Sequence, residues 1–176
     1  MIITNQKSLL FISAFIRIIS TIIILYSFKI PIFIKILLII LTDFIDCDIP
    51  RYIFGYKNWV NCSKNLYQKT DKITDTICYA LLLIYILKNA NLSTNYNNLI
   101  ILLFIYRLIG LYLFLINSNR LYLFYFPNFF LEICLGLMII NYYPILKNYE
   151  ITIILFIILY KIVQEYILHV HKIQIK

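Results

Sequence analysis

The sequence predicts an all-α polytopic membrane bundle of about six transmembrane helices with both termini in the cytosol. Three observations predict it. The 176 residues are 62% hydrophobic with a mean hydropathy of +0.86, well beyond what a water-soluble domain of this size carries. Apolar runs close to the roughly 20 residues that cross a bilayer core recur along the whole chain. Short polar or proline-bearing breaks separate them.

The elements follow in order as a single membrane domain, residues 1–176, with spans at about 8–28, 30–49, 70–88, 98–117, 121–141 and 150–170. The first run, Ser8 to Phe28, holds Arg17 in its middle and shows no small-residue cleavage site after it, so it reads as a retained helix and not as a signal peptide. Lys29-Ile30-Pro31 separates the first two runs. The polar stretch Lys57 to Lys69, then Lys88 to Asn98, Asn117 to Arg120 and Tyr142 to Asn148 with Pro144 make the later breaks. No internal repeat is visible. Glycine occurs only at positions 55, 110 and 136, so close helix approach cannot rest on a GxxxG pattern.

Orientation comes from the loop cations, leaving out Arg17, Arg107 and Lys161 inside the spans. Lys7, Arg51, Lys57, Lys64, Lys69, Lys72, Arg120, Lys172 and Lys176 share one side, nine against the four of Lys29, Lys35, Lys88 and Lys147. This places the termini and the 50–70 loop in the cytosol. Of two glycosylation sequons, Asn61-Cys62-Ser63 is then cytosolic and Asn91-Leu92-Ser93 faces the other side. The formal charge of +8 is spread between apolar runs with no dense basic block, which excludes a nucleic-acid partner and favours the anionic surface of a lipid bilayer. Cys47, Cys62, Cys78 and Cys134 have no CxxC spacing, and reduced thiols packed as small hydrophobes are expected.

The chemistry gathers in one place. All five aspartates, Asp43, Asp46, Asp48, Asp71 and Asp75, lie within 33 consecutive residues at the cytosolic ends of the second and third spans. Carboxylates beside a span are costly unless they face a cavity, a counter-charge or a metal. Asp43 and Asp46 are three apart and Asp71 and Asp75 four apart, so each pair projects from one helix face. Four converging carboxylates would attract an oxygen-seeking divalent cation. The competing reading makes them solvated helix-end charges, with Asp71 capping the third span. Asp48 reads as solvated or paired with Arg51. Arg17 and Arg107 read as snorkelling, as paired with Glu132 or Glu165, or as anion-binding. His169 and His171 and the aromatic stretch Tyr122 to Phe130 read as interfacial or lipid-facing.

The segment Leu41-Thr42-Asp43-Phe44-Ile45-Asp46-Cys47-Asp48-Ile49-Pro50-Arg51, followed by Tyr67-Gln68-Lys69-Thr70-Asp71-Lys72-Ile73-Thr74-Asp75, resembles the signature of the CDP-alcohol phosphotransferase (CDP-alcohol phosphatidyltransferase) family, DxxDGxxARx(8)GxxxDxxxD. Four aspartates and the arginine match in order. Cys47 and Tyr67 stand at the glycine positions, Pro50 stands at the alanine, and 15 residues separate Arg51 from Tyr67 where the family usually has eight. The altered spacers bear on a pocket that small residues open to the nucleotide, and Pro50 would kink or end its helix.

The resemblance implies six spans, a cytosolic-face active site and a role in phospholipid biosynthesis. A phosphoalcohol, and most naturally phosphatidyl from CDP-diacylglycerol, would pass to a small polar acceptor with release of CMP. It implies Asp43, Asp46, Asp71 and Asp75 as ligands of Mg²⁺ or Mn²⁺, and Asp75 as general base. Thr42, Cys47 and Arg51 would line the donor site, Lys69, Lys72 and Arg107 would meet anionic substrate groups, and a homodimer is compatible with it. The residues leave open a non-catalytic relative or scaffold, and a small cation transporter using the aspartates.

Overall fold

The computed structural model describes residues 6–45 and 65–167. Among them every regular element is helical. These are α1 (Gln6–Ser27), α2 (Ile32–Ile45), α3 (Asn65–Asn89), α4 (Thr94–Asn117), α5 (Leu121–Tyr125), α6 (Phe129–Tyr142), a 3₁₀ turn (Pro144–Tyr149) and α7 (Glu150–Tyr166). Three stretches are long and apolar enough to cross a membrane: Leu10–Ser27, Thr94–Asn117 and Leu121–Tyr142. Described α2 is a shorter apolar helix, and α3 carries Lys69, Asp71, Lys72, Asp75 and Lys88 along its length.

Helix edges differ from the apolar runs for a physical reason. α3 starts at Asn65 and α4 at Thr94, ahead of the expected positions 70 and 98. Polar residues outside an apolar run still complete the i→i−4 hydrogen-bond ladder, which hydropathy does not register. The expected span 121–141 is interrupted at Phe126–Asn128. Pro127 offers no N–H, and it pushes Phe126 out of the helical region, to φ −121° and ψ 68°.

The chain divides into two compact units between Ile84 and Tyr85. In the first, α1 buries Leu10, Arg17, Thr21, Ile24 and Leu25 on one stripe and leaves Phe11, Phe15, Ile16, Ile22, Ile23 and Tyr26 exposed on the other. That wide exposed apolar face is what lipid would cover. The α1–α2 connection closes tightly, with the amides of Ile34 and Lys35 donating to the Pro31 carbonyl. Lys35, itself buried, donates its ammonium to the Leu25 carbonyl in the last turn of α1 at 2.5 Å. A cation there satisfies an orphan carbonyl and opposes the negative end of the helix dipole.

In the second unit α6 is the interior helix. It buries Phe130, Leu131, Ile133, Cys134, Gly136, Leu137, Met138 and Ile140, whereas α7 buries only Lys161 and Glu165. Leu111, Phe114 and Leu123 form an apolar cluster joining α4 to α5. Gly110 lets α4 approach the break: a Cβ there would stand 2.3 Å from Cβ of Phe126.

Candidate functional site

The third helix presents Asp71, Asp75, Cys78 and Leu82 at intervals of three and four residues, and the last three are buried. Asp71 lies nearly two turns inside α3, so it is not the cap of that helix. Neither acid is a solvated helix-end charge, since their side chains are 14% and 5% exposed.

Arg17, itself buried, reaches both carboxylates from α1. Its Nη2 stands 2.6 Å from Oδ1 of Asp75, and its Nη1 donates to Oδ1 of Asp71 at 3.3 Å. Lys72 meets the other oxygen of each acid, 2.8 Å from Oδ2 of Asp71 and 2.9 Å from Oδ2 of Asp75. Two cations thus face two anions. One turn deeper, the hydroxyl of Thr21 donates to the Arg17 carbonyl at 3.0 Å, and its oxygen lies 3.3 Å from Sγ of Cys78. This pins the α1 backbone next to the guanidinium against α3. Arg17 therefore pairs with two aspartates of its own unit.

Asp43 stands in the last turn of α2. Thr42 spends its hydroxyl on the Ile39 carbonyl at 2.7 Å, a bond within the helix. Lys69 is half-buried on α3, one turn before Lys72. Asp46, Cys47, Asp48, Pro50, Arg51, His169 and His171 lie outside the described residues. Among the described residues no group of three or more His, Cys, Asp or Glu side chains is gathered as a metal cradle. Asp71 and Asp75 are of the hard-oxygen type that Mg²⁺ or Mn²⁺ takes, and the oxygens they would offer are those held by Arg17 and Lys72.

A second set of buried charges occupies the second unit. Among the described residues Arg107 pairs with no carboxylate; its Nη1 donates to the Phe126 carbonyl at 2.9 Å, while the Tyr106 hydroxyl donates to the Tyr125 carbonyl at 2.7 Å. The Asn128 amide donates to Oε1 of Glu165 at 3.3 Å. Lys161 stands 2.5 Å from Oε1 of Glu132 and 3.6 Å from Oε1 of Glu165, and donates to the Gln164 side chain at 3.0 Å. Side chains thus satisfy the backbone groups freed by the break at Pro127, as a water-poor setting requires. Lys161, a cation inside the last span, stands four residues from Glu165 on one apolar helix, and that spacing is the sequence signal for an inward-facing pair.

Cys78 and Cys134 are buried, while Cys47 and Cys62 lie outside the described residues. No protein-family profile matches the chain, and neither does a curated protein or a solved structure.

Proposed function

We propose that the chain is a membrane-embedded, divalent-metal-dependent transferase of the CDP-alcohol phosphotransferase kind. It would pass a phosphoalcohol, and by preference phosphatidyl from CDP-diacylglycerol, to a small hydroxylated acceptor at the cytosolic face, releasing CMP. One observation carries the reading: α3 holds Asp71 and the buried Asp75 one turn apart, with oxygens converging on the same two cations. That arrangement keeps two carboxylates oriented and dry, which phosphoryl transfer needs for positioning and for handling phosphate charge.

Asp71 and Asp75, with Asp43 and Asp46, would hold Mg²⁺ or Mn²⁺, whose chemistry is to offset diphosphate charge and stabilise the CMP leaving group. Asp75 takes the proton of the acceptor hydroxyl as that oxygen attacks the phosphorus bonded to the alcohol. Arg17 and Lys72 keep the acids paired before substrate arrives, and Lys72 and Lys69 stand on the same helix for anionic substrate groups. Arg107, with a backbone carbonyl as its hydrogen-bond partner, retains donors for an anion in its own unit.

The reading includes six spans with both termini cytosolic. Glycosylation mapping in microsomes tests this: Asn91 is expected to carry a glycan and Asn61 none, and a glycan on Asn61 overturns the orientation. For the reaction, purified protein with Mn²⁺ and radiolabelled CDP-diacylglycerol is assayed for CMP against a panel of acceptors. Asp71→Asn and Asp75→Asn are each expected to cut CMP release by about 10²–10⁴-fold, the usual worth of a positioned acid–base group. CMP release that survives both substitutions ends the transferase reading.

The matched charges favour a second reading, a non-catalytic staple of α1 to α3. Two cations already neutralise the two acids. It predicts no CMP release from the unaltered protein with any acceptor, together with a loss of stability in the same variants.

A further inference from the structure

One nitrogen joins the two acids of α3. Nζ of Lys72 stands 2.8 Å from Oδ2 of Asp71 and 2.9 Å from Oδ2 of Asp75, so those two oxygens converge on a single positive point. A divalent cation bridging the pair would use the same two oxygens, because Oδ1 of each acid is turned to Arg17. The ammonium is thus a stand-in ion, delivered by the residue next to Asp71 on the same helix. An ion of Mg²⁺ size bonds oxygen at about 2.0–2.1 Å. That is closer than either ammonium contact, so the ion that replaces Lys72 draws the two carboxylates together.

The two cations differ in how readily they leave. The Arg17 side chain is 4% exposed and spends two nitrogens on two acids from another helix, whereas that of Lys72 is 24% exposed and makes both contacts through one nitrogen. A lysine ammonium is a compact, strongly hydrated charge on a flexible stem, so water on its open side receives it at little cost. Charge points the same way. Arg17 and Lys72 balance Asp71 and Asp75, and a doubly charged ion in place of the ammonium leaves one positive charge over, which the diphosphate of a substrate would take up. We infer, resting on the transferase reading for the metal, that Lys72 is a built-in competitor for it. Lys72 holds Oδ2 of both acids until a divalent cation displaces it, and Arg17 stays in place through the exchange.

The test is Mn²⁺ binding to the full chain in detergent, followed by the electron paramagnetic resonance signal of free Mn²⁺, with CMP release assayed on the same preparations. Lys72→Met keeps a long stem and removes the charge. It is expected to tighten Mn²⁺ binding about fivefold, the worth of a part-exposed ion pair that the metal no longer has to break. Lys72→Arg restores a cation that can fork to both acids, and is expected to bind Mn²⁺ no more tightly than the unaltered protein. Both variants keep Arg17 on the two acids, so the fold is retained. Affinity that is unchanged or weaker in Lys72→Met overturns the inference, and so does an equal tightening in Lys72→Arg; CMP release in those preparations then still upholds the transferase reading. Absence of Mn²⁺ binding in all three proteins overturns the inference and the metal-dependent reading together.

Discussion

In the first unit the buried cation Arg17 meets two carboxylates presented by an uninterrupted helix, whereas in the second the buried cation Arg107 meets a backbone carbonyl at an interrupted one. Both arrangements dispose of a charge in an apolar setting, but they serve different needs. Arg17 and Lys72 neutralise acids that the α3 backbone does not need for its own hydrogen bonding. Arg107, Tyr106 and Glu165 replace hydrogen bonds that Pro127 took from the backbone. Acids that only ion pairs explain are the ones open to a chemical role, while charges that complete a backbone are already accounted for by folding.

Substitutions can break or sharpen this contrast. The largest effect is expected at Arg17. Arg17→Leu removes the buried cation and leaves both acids to the partly exposed Lys72 alone, and should lower stability by about 3–5 kcal/mol, read as a fall in the unfolding midpoint in detergent. A fall no larger than that of Lys72→Ala would erase the difference between the units. Arg107→Met leaves one backbone carbonyl without its donor, and about 1–3 kcal/mol is expected; a loss as large as Arg17→Leu would mean that Arg107 is held by charge after all. Gly110→Ala drives a methyl group into Phe126 and should cost about 1–3 kcal/mol through overpacking. Its signature is increased protease cleavage near the break, and an unchanged digestion pattern would argue against the close approach. Smallest is Lys72→Ala, about 1 kcal/mol or less, because the Lys72 side chain is 24% exposed and Arg17 still covers both acids.

The helical class and the polar breaks were legible because lipid demands long apolar runs and backbone hydrogen bonds closed within each helix. Asp71 and Asp75 were legible as a pair because four residues make one turn. The partner of Arg17 was not. Asp71 lies 54 residues away, and nothing local distinguishes it from Glu132 or Glu165 as a counter-charge. The interruption of span 121–141 had its signal in Pro127, masked by the hydropathy of the flanking Phe and Tyr residues. Lys35 was assigned to a loop by its charge, yet it stands in the first turn of α2 and is buried, because the carbonyl of Leu25 is within its reach.

That lysine also bears on how the chain enters a bilayer. Alone, α2 would carry a bare ammonium into hydrocarbon, and α1 would end on a carbonyl with no donor; folded back to back, each cancels the other's penalty. If α2 crosses the bilayer as the six-span reading has it, the two helices are cheaper to insert as one hairpin than in succession, and the four-residue link from Phe28 to Pro31 is short enough to bring them together early.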